Sequence, residues 1–248
     1  MLFVRLAILV LLPALGLLPL AQPAYAQIWS YDGDQNNQDE WATLSNDYAV
    51  CESGKQQSPI QIGTTQKGNL PPLAFHYGDT KAQLKQKDYT LTVDIQSNNT
   101  LIENGKTYRL AQLRFHTPSE HMLLDHFWPL EIELMHQDAD GKMLIVSVFA
   151  NIGQSNPALQ MALDHISGKM AVSDITFSPQ LLIPPIPRYY SYSGSLTIPP
   201  CTEGVEWRIF KESISISQKQ LSALEKITGR NARLPQPIYM RTIIETGE

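Results

Sequence analysis

The sequence lacks several features that define common protein classes. Lys and Arg total 19 against 24 Asp and Glu, for a net charge of −5, so the basic balance of a typical nucleic-acid-binding protein is absent. After residue 26, no apolar run approaches the roughly 20 residues that a membrane-spanning helix needs. No phosphate-binding loop, nucleophile elbow, internal repeat or Ser/Gly linker is present. We therefore expect no nucleic-acid partner, no transmembrane segment in the mature chain and no domain boundary.

The N-terminal 26 residues have the composition of an export signal. Arg5 precedes an apolar stretch over residues 6–20, and Ala24–Ala26 forms a small-x-small cleavage site. The sequence therefore predicts a signal peptide over 1–26 and a single mature domain over 27–248. Such a protein is expected in the periplasm or outside the cell.

Cysteine is nearly absent, since only Cys51 and Cys201 occur. Exported chains usually pair an even number of cysteines, so we expect one disulfide between the first and last quarters of the mature chain. On the loop-closure model it would stabilise the fold by about 5 kcal/mol. The alternative is a pair of free, buried thiols.

Segments rich in β-branched and aromatic residues, bounded by turn residues, predict strands along most of the chain. They are Tyr89–Ile95, Thr100–Ile102, Tyr108–His116, Glu131–His136, Met143–Phe149, Glu206–Phe210 and Ser213–Ser217. Asn104–Gly105 is typical of a tight hairpin turn. Two short amphipathic helices have start signals, one at Asn156 and one at Ser217, the second ending at Gly229. The pattern predicts a mainly β (α+β) protein, with a large central sheet wrapped by loops and a few short helices.

Five motifs in a fixed order carry a resemblance to a known family. They are Trp29–Tyr31, Gln57–Ile62, Phe115–His121, Gly194–Cys201 and Asn231–Arg241. With these motifs the chain resembles the α-class carbonic anhydrases of the bacterial exported type. The resemblance implies a mostly antiparallel ten-stranded sheet with a cone-shaped site at its centre, and a disulfide that joins the two cysteines.

In that family three imidazoles hold a zinc ion, and its bound water becomes the hydroxide that attacks carbon dioxide. The resemblance places the three ligand positions at Arg114, His116 and Glu133, so His116 is the one retained ligand. A guanidinium has no lone pair to offer a metal and stays protonated. At about 4 Å it would repel a dication by roughly 8 kcal/mol in an effective dielectric of about 20. Glu133 taken alone could still ligate a metal.

We interpret Arg114 and Glu133 as an ion pair across adjacent strands that fills the metal site. The chain is then a carbonic anhydrase-like protein without zinc or carbon dioxide hydration, which acts as a binding or structural module and needs no cofactor. A functional alternative is that Arg114 and His116 hold a small anion or carboxylate in the cone. The other alternative is an active or weakly active zinc enzyme, which requires a third ligand that the sequence does not identify.

Four more residues match positions around the family's metal site. Gln112 and Glu131 match the groups that orient two of the imidazoles, and Glu120 with Thr197 matches the pair that directs the zinc-bound hydroxide. Residues that hydrogen-bond to metal ligands affect the metal only when those ligands are present. In an inactive protein, Glu120 and Thr197 would remain as hydrogen-bonded core.

The remaining histidines and one apolar stretch have simpler interpretations. We expect His121 and His136 to be buried hydrogen-bond partners, and His76, in a loop, and His165, on a helix, to be solvated. The stretch Met122–Trp128 is more apolar than expected. It is either tucked under a loop or an exposed patch that docks a protein partner.

Overall fold

The structure is a computed structural model that describes residues 29–33, 35–87, 89–96, 98–166, 171–186 and 188–247. The predicted signal peptide lies outside these residues. The described helices are α1 (Trp41–Leu44), α2 (Val50–Ser53), α3 (Pro157–Leu163) and α4 (Gln218–Thr228), with 3-10 helices at Asn46–Tyr48 and Pro179–Leu182. None of the helices in the described ranges has the length and apolar character to span a membrane.

Strands make up most of the regular structure. They are β1 (Gln61–Ile62), β2 (Gln66–Gly68), β3 (Leu73–His76), β4 (Thr80–Lys87), β5 (Thr90–Ile95), β6 (Thr100–Glu103), β7 (Lys106–His116), β8 (Met122–Leu123), β9 (His126–Phe127), β10 (Leu130–Gln137), β11 (Met143–Ile152), β12 (Val172–Phe177), β13 (Tyr189–Ser195), β14 (Glu203–Phe210), β15 (Ile214–Ile216) and β16 (Ile244–Thr246). The mainly β prediction is confirmed.

The strands form one large sheet and one small one. Ten strands of the large sheet follow the order β12-β4-β5-β7-β10-β11-β14-β13-β16-β2, and β3, β6 and β15 pair beside this path. Neighbours along the path are antiparallel except β11 with β14 and β16 with β2, which are parallel. The expected mostly antiparallel ten-stranded sheet is therefore present, with three additional strands. The small sheet joins β1, β8 and β9.

All seven predicted strands are found, with boundaries shifted by a few residues. Nine of the described strands were not predicted: β1, β2, β3, β4, β8, β9, β12, β13 and β16. The sequence of β4 is rich in Lys and Gln, which have low strand propensity, and Ser and Gly interrupt the tyrosines of β13. Their neighbours in the sheet decide their conformation. His76, which we expected in a loop, ends strand β3 instead, although its side chain is exposed as predicted.

Local signals set the turns and helix ends as predicted. Asn104 and Gly105 have φ angles of 49° and 76° in the hairpin that joins β6 to β7, the values that a type I′ turn requires. Helix α3 begins at Asn156, whose side chain accepts a hydrogen bond from the amide of Leu159. Helix α4 begins with a capping box between Ser217 and Gln220.

The central strands separate an apolar face from a polar one. Alternate residues of a strand point to opposite faces, so Leu113 and Phe115 of β7 and Ile132 and Leu134 of β10 enter the main hydrophobic core together with α3 and α4. The intervening residues of the same strands face the other side. Both faces are covered, since every residue of β10 except the last is buried. The side chains of the candidate site lie on the second face.

The predicted disulfide is confirmed between Cys51 and Cys201, 150 residues apart in sequence. It packs with Tyr31 and Trp41 in a third small hydrophobic cluster. The alternative of two free thiols is therefore wrong.

Candidate functional site

The register of β7 and β10 brings the predicted site residues side by side. The strands are antiparallel, with Arg114 opposite Glu133 and His116 opposite Glu131. Residues that face each other in such a pair have neighbouring side chains on the same face of the sheet. The three positions that the resemblance implies for the metal ligands therefore lie in one neighbourhood, although only one of them is a histidine.

A chain of polar contacts holds Arg114 from the side of the protein surface. Its Nε donates to Oε1 of Gln112 at 2.8 Å, and Nε2 of Gln112 donates to Asp94 at 2.7 Å. Asp94 forms an ion pair with Lys85 at 2.6 Å. Gln112 thus orients the side chain at position 114, which is the task that the resemblance assigned to it, but the side chain is a guanidinium.

The expected ion pair between Arg114 and Glu133 is not formed. Nη1 of Arg114 and Oε1 of Glu133 are both buried and have no hydrogen-bond partner. The ion pair found for Glu133 is with His116, where Oε2 lies 3.5 Å from Nε2. Arg114 instead donates to Gln112 through Nε, and Glu133 pairs with His116.

His116 is completely enclosed, with 1% of its surface exposed. Its Nδ1 donates to the backbone carbonyl of Asn231 at 2.8 Å, since a carbonyl can only accept. Nε2 therefore faces the site. Burial lowers the pKa of the imidazole, but the charges of the Glu120 and Glu133 carboxylates outweigh it and raise the pKa to about 10.

Glu120 joins this group from the loop after β7. Its Oε1 lies 3.5 Å from Nδ1 of His116 and accepts a hydrogen bond from the backbone amide of Arg233 at 2.8 Å. Burial, opposed by His116 and reinforced by Glu133, raises the pKa of Glu120 to about 8. No hydrogen bond joins Glu120 to Thr197, because Oε2 of Glu120 and Oγ1 of Thr197 are both buried without a partner. The interpretation of this pair as hydrogen-bonded core is wrong.

Tyr31 is a site residue to which the sequence analysis gave no role. It is 2% exposed, and its hydroxyl has no hydrogen-bond partner. Burial raises the pKa of the phenol well above its usual value, and the charges of Glu120, Arg114 and Glu133 also act on it. The phenol therefore belongs to the same group. Its place in the Trp29–Tyr31 motif was the one available signal.

We call Tyr31, Arg114, His116, Glu120 and Glu133 the open cluster. Each of these five side chains has a buried polar atom without a hydrogen-bond partner. Buried polar atoms in folded proteins are nearly always paired. Five unpaired atoms in one neighbourhood therefore mark a site that can receive a ligand.

Glu131 belongs to a second polar group, which we call the closed cluster, with Ser58, His121, Ser147 and Tyr192. Oε1 of Glu131 accepts from His121 at 2.7 Å and from Ser147 at 2.6 Å, while Oε2 accepts two backbone amides. Tyr192 links His121 to Ser58 through its hydroxyl. With both oxygens bound in this way, Glu131 makes no contact with the side chain at 133. Its predicted orienting role is therefore not seen.

The predicted burial or exposure of the other histidines is confirmed, but His165 lies in a turn two residues after α3 and not on the helix. His121 and His136 are buried and hydrogen-bonded, His136 to the carbonyl of Leu144 and to Tyr77. Burial lowers the pKa of His136 to about 4. His165 is exposed.

The stretch Met122–Trp128 combines both alternatives raised from the sequence. It forms the hairpin of β8 and β9, and Trp128 stacks on Phe149 with ring centroids 5.5 Å apart. Leu124, in contrast, is 73% exposed at the tip. The base of the hairpin is therefore packed and its tip is accessible.

Comparisons with known proteins agree with this geometry. The model of the eukaryotic-type carbonic anhydrase family matches residues 36–246. The chain belongs to the carbonic anhydrase family. A carbonic anhydrase from Neisseria gonorrhoeae is 33% identical over 222 residues, which cover 88% of this chain and 87% of that protein.

Solved structures extend the likeness to the fold. The α-carbonic anhydrase of Photobacterium profundum matches with a TM-score of 0.83 and 35% identity, over 88% of this chain and all of that one. Dioscorin complexed with ascorbate matches with a TM-score of 0.83 and 29% identity, over 88% of this chain and 97% of that one. Carbonic anhydrases and a dioscorin therefore share this architecture.

The carbonic anhydrase family is normally zinc-dependent, and the donor atoms of this chain do not fit a three-imidazole zinc site. Arg114 occupies a position that the resemblance implies for one ligand, but a guanidinium has no lone pair, and its buried Nη1 adds a fixed positive charge. The sequence analysis found no third ligand beside His116 and Glu133, but the fold supplies one. Donor atoms of His116, Glu120 and Glu133 lie within 4.8 Å of one another.

Proposed function

We propose that this carbonic anhydrase family member has lost zinc and carbon dioxide hydration and acts as a binding module. The observation that carries the proposal is the guanidinium of Arg114 at a ligand position, held there by Gln112. A fixed cation at this place opposes a dication, and the imidazole it replaces is one of three that the zinc chemistry requires.

The proposed ligand is a small anion or carboxylate bound in the cone by Arg114 and His116. Nη1 of Arg114 is a permanent donor without a partner in the folded protein, and guanidinium groups bind carboxylates and oxyanions with charge-assisted hydrogen bonds. A family relative, dioscorin, has been crystallised with ascorbate. That complex supports the idea that this fold can serve as a binding protein.

Elemental analysis of protein purified without added metal is the first test. We expect substoichiometric zinc and no acceleration of carbon dioxide hydration above the buffer rate. A stoichiometric zinc content together with hydratase activity would refute the proposal.

The double substitution Arg114→His with Glu133→His tests whether these two residues are what excludes zinc. We expect the double variant to take up one zinc ion, because Gln112 and the carbonyl of Asn231 are in place to orient two of the imidazoles. Glu131 is engaged in the closed cluster, so the third imidazole lacks its partner and the affinity should be about 10- to 100-fold below that of an intact site. Arg188→His, on the exposed Arg188–Glu212 pair, is the control, and zinc uptake by that variant or none by the double variant would contradict the assignment.

A metal-dependent function is the second candidate, favoured by the convergence of His116, Glu120 and Glu133. One imidazole and two carboxylates can bind a divalent ion, and the protein would then be an active or weakly active carbonic anhydrase. Glu120→Gln separates the two candidates. If Glu120 is a ligand, this substitution abolishes metal binding. If the protein is a binding module without a metal, the variant and the unmodified protein both lack metal.

We also propose that the protein is exported to the periplasm or secreted. The Cys51–Cys201 disulfide supports an oxidising compartment. The exposed tip of the β8–β9 hairpin, residues 124–127, is the surface that we propose for a protein partner.

A further inference from the structure

We infer that the open cluster selects a small oxyanion that carries its own hydroxyl group over an oxyanion of similar size without one. The inference rests on the proposed binding function and names the class of ligand for that site.

The donors of the open cluster require an anionic or acceptor oxygen. Nη1 of Arg114 carries only hydrogens and has no lone pair, and it is buried without a partner. The hydroxyl of Tyr31, also buried and unpaired, is a second group that can donate. Leaving such a donor unsatisfied costs about as much as a lost hydrogen bond, so an oxygen bearing negative charge fits this side of the site.

The unpaired acceptor of the open cluster requires a hydrogen-bond donor on the ligand. Oε1 of Glu133 is buried and receives no hydrogen bond. A ligand made only of acceptor oxygens would satisfy Arg114 but would leave this carboxylate oxygen unpaired beside a like charge. A hydroxyl on the same ligand can donate to it.

The strand register and the spacing of the carboxylates and imidazole bring both sides next to one another. Arg114 and Glu133 occupy directly opposed positions on β7 and β10, and donor atoms of His116, Glu120 and Glu133 lie within 4.8 Å of one another. Arg114 is the one member of the cluster that is half-exposed, whereas the others are buried. A ligand would therefore enter past the guanidinium and place its hydroxyl inward.

Matched pairs of anions test the inference on the unmodified protein. Glycolate and acetate differ by one hydroxyl and are both ionised at neutral pH, and bicarbonate with formate forms an inorganic counterpart. Titration calorimetry at constant ionic strength in a sealed cell should give glycolate or bicarbonate an affinity at least tenfold above its partner. The pair that shows the larger ratio tells whether the natural ligand is an organic hydroxy acid or an inorganic oxyanion.

Two variants assign the preference to named atoms. Glu133→Leu should reduce the glycolate-to-acetate ratio to less than about threefold, because the acceptor for the hydroxyl is removed. Arg114→Gln should weaken both anions by tenfold or more, since a charge-assisted contact is lost. Arg188→Gln removes the same charge from an exposed pair and should leave both affinities unchanged.

The outcomes separate this inference from the proposed function. Equal affinities for glycolate and acetate, both lost in Arg114→Gln, would overturn the inference and leave the anion-binding function standing. Binding of none of the four anions would overturn both. The measurements on the unmodified protein decide the question even if a variant does not fold.

Discussion

Two buried polar clusters share strand β10 and differ in how completely the fold satisfies them. Glu131 and Glu133 lie two residues apart, on the same face, with exposures of 0% and 1%. Glu131 accepts four hydrogen bonds, whereas Oε1 of Glu133 accepts none. Equal burial therefore leads to opposite states of hydrogen bonding.

The clusters also contain the same kinds of group, since each has a carboxylate, an imidazole and a phenol. In the closed cluster His121 forms hydrogen bonds with both Tyr192 and Glu131. In the open cluster His116 and Tyr31 keep unpaired atoms. A fully satisfied buried network stiffens the fold, and an unsatisfied one costs free energy unless something else is bound there. Residue type and burial are therefore alike in the two clusters. They differ in whether the buried polar atoms have hydrogen-bond partners, and only the cluster with unpaired atoms is a candidate ligand site.

The largest expected contrast comes from removing one charge from each cluster. Glu131→Gln should lower the free energy of unfolding by about 3 to 5 kcal/mol, because it breaks a buried, hydrogen-bonded partner of His121. Glu133→Gln should lower it by less, about 1 to 3 kcal/mol, because it removes the ion pair with His116 at 3.5 Å but no hydrogen bond. Urea unfolding of the two variants measures both values. Equal losses would remove the distinction between the clusters.

The pH dependence of stability should run in opposite directions for the two clusters. Burial raises the pKa of Glu131, but His121 and the hydrogen bonds outweigh it and lower the pKa to about 2. Its stabilisation is therefore present above pH 4.5, the ordinary value, and should fall by about 3 kcal/mol as the pH drops toward 2. Glu120, with a pKa raised to about 8, contributes stability at low pH that is lost as the pH rises through 8.

The free energy of unfolding measured from acid to mildly alkaline pH checks this prediction. Glu120→Gln should flatten the decline of stability between about pH 4.5 and 8 and leave the acid limb of the curve in place. If the variant instead changed the acid limb and kept the alkaline decline, the assignment of the two limbs would be reversed.

The smallest contrast comes from two tyrosines that are both buried. Tyr192→Phe removes a hydroxyl that contacts Ser58 and His121, each at 2.7 Å, and should cost about 1 to 2 kcal/mol. Tyr31→Phe removes a hydroxyl without a partner, and stability should stay within about 0.5 kcal/mol or rise. Thermal unfolding of the matched pair measures the difference. A larger loss in Tyr31→Phe would show that its hydroxyl is satisfied in the folded protein.

Much of the fold followed from local patterns. Hairpin turns and helix caps depend on residues within four positions of each other, so Asn104–Gly105 and Ser217 with Gln220 could be assigned from sequence. The strand that carries Arg114 and His116 was predicted from its aromatic residues Tyr108 and Phe115 and from the turn that precedes it. Strand β4, by contrast, has Lys and Gln where a strand usually has β-branched residues, and only its pairing with β5 and β12 makes it a strand.

The site was predicted in its residues but not in its contacts. Gln112 does orient the side chain at position 114, as the motif indicated. The ion pair of Arg114 with Glu133 and the hydrogen bond of Glu120 with Thr197 are not formed. Whether each contact forms depends on which of several nearby groups binds a given oxygen or nitrogen. The residue pattern does not contain that information.

The sequence by itself determined the family, the class of fold and the pairing of its two cysteines, because these depend on residue identity and order. Only the tertiary structure decided that Glu131 joins a closed network while Glu133, two residues along the strand, keeps an unpaired oxygen, and that Glu120 and Tyr31 converge on the same place. The reason is physical. A hydrogen bond is set by distances of a few tenths of an ångström, and those arise from strands that lie far apart in the chain.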